Sequence, residues 1–221
     1  MRAPALNASN GDLIPFGHFA WVSVEVDDET AGLGLPLKTC DQNLRKAVGA
    51  RNQSADGLVE ARARRGVPRR RLNKWLRQLE RDAKAAFGGD TKCVAYVRIL
   101  PRSAAKTLKL PHAERWKAVA NAVAALLHAD TPKVLAASQK AGDTLVKQLA
   151  TCDATVTTAQ AAVTAAMLDI KTARTAWFEA VRGLQGALQQ KFTTDRDRID
   201  SYFPESTAKP KAKDVVQEQA A

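Results

Sequence analysis

The sequence predicts a mostly α-helical protein: an elongated, antiparallel, coiled-coil-like helical bundle with a short N-terminal β segment and disordered termini. Three observations carry that prediction. Residues 143–182 contain no glycine and no proline, and apolar residues return there every three or four positions. Hydrophobic residues make up 45% of the chain but aromatics only 5%, and alanine is the largest apolar contributor, a balance that favours helix formation and close helix–helix approach over a bulky interior. Helix breakers gather at a few places, chiefly Gly66-Val67-Pro68, Gly88-Gly89, Pro101, Pro111 and Pro132. The 221 residues suffice for one large domain or two small ones.

Residues 1–36 read as an N-terminal arm, disordered at its start. Within it residues 19–26 are rich in β-formers, with Val22, Val24 and Val26 on one face and Trp21, Ser23 and Glu25 on the other. A lone strand needs a partner. Residues 92–100 alternate in the same way, so three readings stand: the two segments form a small ribbon, the first pairs with another molecule, or one is a loop. From residue 37 the helical period takes over, and 37–204 reads as the bundle. Its expected helices are about 37–65, then 67–87 with Pro68 in the first turn and Gly88-Gly89 at the stop, then 112–128, then 133–202. The last is either one rod of roughly 100 Å or a hairpin folded near 151–158, where threonines cluster and Asp153 is a candidate N-cap. Residues 205–221 read as a disordered tail.

Charge is unevenly spread. The chain carries +11 overall, yet residues 36–110 alone hold nineteen bases against six acids. Within 62–84 there are ten bases, Arg62, Arg64, Arg65, Arg69, Arg70, Arg71, Lys74, Arg77, Arg81 and Lys84, against Glu80 and Asp82. Over 69–87 the apolar residues Leu72, Trp75, Leu76, Leu79, Ala83 and Phe87 share one helical face, and Arg70, Lys74, Arg77, Arg81 and Lys84 share the other. Like charges three and four apart repel, so the stripe costs helix stability unless an anion compensates it. The anion can be nucleic-acid phosphate, an anionic membrane surface, an acidic patch on another protein, or the chain's own acidic run at 27–29. An uncommitted solvent-facing bundle surface is the alternative.

The stretch Gly66-Val67-Pro68-Arg69-Arg70-Arg71-Leu72-Asn73-Lys74-Trp75-Leu76 resembles the turn and recognition helix of helix-turn-helix DNA-binding domains. The resemblance spans some twenty residues and implies that Arg69, Arg70, Arg71 and Lys74 face a duplex. Arg62 and Arg65 depart from it, standing where that motif has small or apolar residues.

A faint repeat runs through the chain. Leu72, Leu76, Leu79 and Ala83 precede Phe87 at the same offsets at which Trp177, Val181, Leu184 and Leu188 precede Phe192. Asp90 and Asp195 follow each phenylalanine by three, and Leu100-Pro101 and Phe203-Pro204 close each unit. Either a helical unit is duplicated or two amphipathic helices share a period.

Little points to catalysis. His18, His112 and His128 have no ligands at metal spacing, and Cys40, Cys93 and Cys152 are odd in number, far apart and free of any CxxC. No metal or cofactor is expected, and reduced thiols suggest the cytoplasm. The longest apolar run, interrupted at Asn121, is too short to span a bilayer. The expected function is that of a non-enzymatic structural or assembly protein, self-associating or binding another protein along a seam of Leu145, Leu149, Val156, Val163, Met167, Ile170, Trp177, Val181, Leu184 and Leu188. The alternative is nucleic-acid or other polyanion binding through helix 69–87.

Overall fold

Two helices of more than fifty residues organise the chain. The computed structural model describes residue 4 and residues 7–204; the tail predicted over 205–221 lies outside the described residues. The elements are α1 (Asn10–Val26), α2 (Leu35–Ala86), α3 (Val94–Ile99), α4 (Ala104–Leu108), α5 (His112–Ala125), a 3₁₀ turn (Lys133–Leu135), α6 (Ala136–Lys191) and α7 (Arg196–Ser201). No strand occurs among the described residues.

The candidate strand at 19–26 is instead the C-terminal half of α1. Ser9 caps that helix by accepting from the Asp12 N–H, while the Asp12 carboxylate accepts from the Ser9 backbone, a reciprocal capping box. Leu13, Gly17, Ala20 and Val24 are buried at helical spacing, and packing along that face overrides the β-propensity of the valines. The ribbon partner at 92–100 is likewise helical. It forms the single turn α3, which buries Tyr96 and Ile99 three residues apart.

Gly66-Val67-Pro68 does not break the chain into two helices. Pro68 lies inside α2, and the turn that the helix-turn-helix resemblance requires is absent. A proline in a helix interior costs about 3 kcal/mol; Pro68 is buried, as are Leu58, Ala61, Leu72 and Leu76 around it, and this packing offsets the lost hydrogen bond. The helix ends at Gly88 and Gly89, whose φ values of 59° and 87° suit glycine alone, with the Gly89 N–H returning to the Lys84 carbonyl. Nor does α6 fold back at 151–158. The hydroxyls of Thr151, Thr155 and Thr157 each donate to the carbonyl four residues earlier, so the threonines are satisfied within the helix. Asp153 does not cap a helix but accepts from Arg65 of α2 at 3.2 Å.

The chain divides into two compact units. Unit 1 comprises Met1–Gln53 and Thr164–Ala221, and unit 2 is Ser54–Val163. Unit 1 packs α1, the first part of α2, the last part of α6 and α7 around Leu13, Ala20, Leu37, Leu44, Trp177, Val181, Leu184, Leu188 and Phe203. Unit 2 packs α5, the first part of α6, the last part of α2 and the short α3 and α4 around Leu72, Trp75, Leu76, Leu79, Ala83, Tyr96, Val119 and Leu149. In unit 2 the long helices run antiparallel, as the pairings Arg62–Gln160, Arg65–Asp153 and Trp75–Ser138 show.

Both units follow one plan. The loop from α1 to α2 is tied by the Thr30 hydroxyl donating to the Val24 carbonyl, six residues back, and the loop from α5 to α6 by Thr131 donating to Ala125, also six back. The short helix after each long one carries an arginine that grips the residue before that threonine. Arg198 of α7 binds Glu29 at 2.9 Å, and Arg98 of α3 binds Asp130 at 2.8 Å. Each long helix ends in a phenylalanine met by the tyrosine of the following short helix, Phe87 with Tyr96 and Phe192 with Tyr202, both at 6.2 Å between centroids. All eight apolar residues at matching offsets before those phenylalanines are buried. The two units are thus built alike: each joins one helix pair to the end of the other long helix and the short helix that follows it.

Candidate polyanion-binding face of unit 2

The face begins with the packing that fixes α2 in place. The Trp75 indole N–H donates to the Ser138 carbonyl of α6 at 2.9 Å. Its ring lies so close to Gly142 that a Cβ there would stand 2.4 Å from Trp75 Cζ2 and 2.8 Å from Val123. Only a glycine admits this approach. Leu72, Leu76, Leu79 and Ala83 complete the buried side of the helix.

The opposite side is cationic. Arg62, Arg64, Arg69, Arg70, Arg71, Lys74, Arg77, Arg81 and Lys84 are all exposed, and Arg65 is half-buried. Five of the ten have partners among the described residues. Arg62 donates to Gln160, Arg64 pairs with Glu60, Arg65 with Asp153, Arg81 donates to Gln78, and Lys84 pairs with Glu80 at 3.1 Å. The Glu80 hydrogen bond pushes the Lys84 amine further up. Arg69, Arg70, Arg71, Lys74 and Arg77 have no side-chain partner among the described residues. Lys74, Arg77 and Arg81 form one wall of an open groove of about 870 Å³, whose other wall is made of Ala137, Ser138 and Ala141 of α6. A wall of small residues leaves the cations accessible.

The acidic run at 27–29, one candidate counter-charge for the stripe, is engaged elsewhere. Asp27 accepts from the Tyr202 hydroxyl and from Arg198, and Glu29 also pairs with Arg198, all within unit 1. The Tyr202 bond, then Arg198 and the Glu29 N–H, hold the Asp27 carboxyl down at about 2.

The charge follows the units. Unit 2 carries twenty bases against nine acids, whereas the described residues of unit 1 carry ten against eleven. The repeat supplies a comparison inside the molecule. Counting back from Phe87, the stripe is Arg70, Lys74, Arg77, Arg81 and Lys84; counting back equally from Phe192, the same positions hold Thr175, Glu179, Arg182, Gly186 and Gln189. Both helices bury their matching apolar faces, so the fold does not require the stripe.

The ten seam residues of α6 divide between the units. Leu149, Val163, Trp177, Val181, Leu184 and Leu188 are buried, Leu145, Val156 and Ile170 are half-buried, and Met167 is 52% exposed. Met167 thus falls off the seam, beside Leu168 at 62%. The helical spacing is correct, but among the described residues no helix covers Met167. The contacts around this face and its loops that the sequence does not reveal are the Trp75–Gly142 approach and the two arginine clamps; in the sequence Gly142 stands out only as the glycine bounding the unbroken run. Among the described residues no group of three His, Cys, Asp or Glu is placed to hold a metal ion, and no helix is long and apolar enough to cross a membrane. Cys40, Cys93 and Cys152 are free thiols, and burial pushes that of Cys40 up.

No family model, curated protein or solved structure matches this chain.

Proposed function

We propose that this chain is a non-enzymatic helical protein whose unit 2 binds the phosphate backbone of duplex nucleic acid through the exposed face of α2. The carrying observation is the basic stripe present on one of two long helices that bury matching apolar faces and missing from the other. Four adjacent like-charged pairs, from Arg70 to Lys84, cost on the order of 1–2 kcal/mol in the free protein, and an anionic partner removes that cost. The stripe spans roughly 21 Å at the helical rise, and a duplex offers about one charge per 1.7 Å of axis, so five simultaneous contacts fit. No exposed aromatic accompanies the stripe, since Trp75 is 8% exposed with its N–H spent on Ser138. Base stacking, which single-strand binders use, has no platform there. The binding is electrostatic and indifferent to base sequence, with no cofactor or metal, and free thiols suit a cytoplasmic setting. The test is anisotropy titration of a labelled duplex against salt: a steep loss of affinity supports the reading, and a flat response rejects it.

Assembly with a second copy or another protein is the second reading, favoured by the neighbouring exposed pair Met167 and Leu168 on α6. Most of the expected seam is taken up by the chain's own cores, so coiled-coil-like association has to use this pair. Sedimentation equilibrium tests it: a concentration-dependent mass that Met167→Lys abolishes supports assembly, and a strict monomer excludes it.

A further inference from the structure

Within unit 2 the two walls of the groove between α2 and α6 are locked together. The Trp75 N–H donates to the Ser138 carbonyl at 2.9 Å, and the Trp75 ring is seated against Gly142. A run of side chains then ties the cationic wall to the neutral one. Arg81 donates to Gln78 Oε1 at 2.6 Å, Gln78 Nε2 donates to Asp82 Oδ1 at 2.6 Å, and the Ser138 hydroxyl of α6 donates to Asp82 Oδ2 at 3.4 Å. Both Asp82 oxygens are thereby engaged, and Asp82 does not line the groove. The charged groups that do line it are Lys74, Arg77 and Arg81, opposite Ala137 and Ala141.

The spacing of these cations fits a strand. Lys74 to Arg81 covers roughly 10 Å of helix, and over that length one strand of a duplex presents about three phosphates. A strand also offers sugar edges beside its phosphates, and the alanine methyls opposite the cations leave room for them.

We propose that one of the two strands of a bound duplex runs in this groove, its phosphates on Lys74, Arg77 and Arg81 and its sugars against Ala137 and Ala141. The inference rests on the nucleic-acid reading above and adds a placement to it: α6 supplies a second contact wall, and Arg70 and Lys84 meet phosphates beyond the two ends of the groove.

Filling the groove without altering its charge tests the placement. Ala141 is exposed, so Ala141→Trp should fold, and its ring obstructs the strand. Binding of a short labelled DNA duplex to the full chain is followed by anisotropy across salt concentrations. The wild type gives the slope of about −4.5 expected for five contacts, and Ala141→Trp falls towards about −1.8 as three are lost. Ala150→Trp, exposed on α6 and outside the groove, keeps the wild-type slope. In the wild type the methyl NMR signals of Ala137 and Ala141 shift saturably as duplex is added, and that of Ala150 stays. A slope that Arg70→Gln, Arg77→Gln and Arg81→Gln together remove but Ala141→Trp retains overturns the placement and leaves the stripe's role standing. Unmoved Ala137 and Ala141 methyls do the same, and they decide alone should Ala141→Trp fail to fold. An equal loss in Ala150→Trp also overturns the placement, by tracing the effect to added bulk anywhere on α6. A flat salt response in the wild type removes the nucleic-acid reading itself, and the placement with it.

Discussion

Neutralising Arg70, Arg77 and Arg81 tests the proposed nucleic-acid face most directly. All three side chains are exposed, none takes part in a core, and glutamine retains good helix propensity, so the triple variant should fold as the wild type does. With five phosphate contacts the slope of log K against log salt is about −4.5, at 0.9 per contact. Removing three leaves about −1.8. At 0.1 M salt each contact is worth about 0.9 of a decade relative to 1 M, so the variant loses roughly 500-fold in affinity, or about 4 kcal/mol. The assay is fluorescence anisotropy of a labelled duplex at four or more salt concentrations, with circular dichroism to show that the helices persist. Arg182→Gln provides the control, because Arg182 holds the position on α6 that Arg77 holds on α2. Its slope should equal that of the wild type. An unchanged slope in the triple variant, or an equal loss in Arg182→Gln, refutes the reasoning: the first removes the stripe from the binding reaction, and the second reduces it to general basicity.

Gly142→Ala should destabilise unit 2 by about 1–3 kcal/mol, the range for overpacking a close-packed core, because its Cβ would meet the Trp75 ring at 2.4 Å; hydrogen exchange of α5 amides and a thermal melt check it. Thr30→Val should cost about 1–2 kcal/mol by leaving a buried acceptor short of its donor, since the Thr30 hydroxyl donates to the Val24 carbonyl at 2.8 Å; urea unfolding followed by tryptophan fluorescence measures it. Acid should weaken unit 1. Asp27 titrates at about 2 when folded against a model 3.8, so its contribution is complete above pH 4 and lost as pH falls from 4 towards 2. Tyr202→Phe removes the largest cause of that depression and should flatten the stability profile in this window, as NMR titration of the Asp27 carboxyl and acid melts at half-unit steps will show.

The helical class, the stop at Gly88-Gly89 and the alignment of the two phenylalanine-terminated helices were all legible, because each rests on spacing within one segment. The misread positions share a cause. At residues 19–26 the β-propensity of the valines points to a strand, while the Ser9–Asp12 capping pair and the spacing of Leu13, Gly17, Ala20 and Val24 describe the helix that forms. Pro68 and the threonines at 151–158 were judged as breakers, although tertiary packing outweighs one proline and threonine hydroxyls can bond back along their own helix. For the candidate site, the ten cations were legible as a charge run. Their lack of compensation was not, since it depends on Glu60, Glu80 and Asp153 reaching only some of them.

The likeness of the two units also separates what the fold demands from what it merely permits. Positions facing the core are constrained in both units, and the Thr30/Thr131 ties, the Arg198/Arg98 clamps and the Phe192–Tyr202 and Phe87–Tyr96 contacts answer to the same geometric need twice. Positions facing solvent have no such need, and it is there that the copies diverge: Thr175, Glu179, Gly186 and Gln189 on one, and Arg70, Lys74, Arg81 and Lys84 on the other. Repulsion along a helix works against collecting cations on one face. Unit 1 shows that the scaffold does without such a stripe, and under the proposed reading its repulsion is offset when an anion lies along α2.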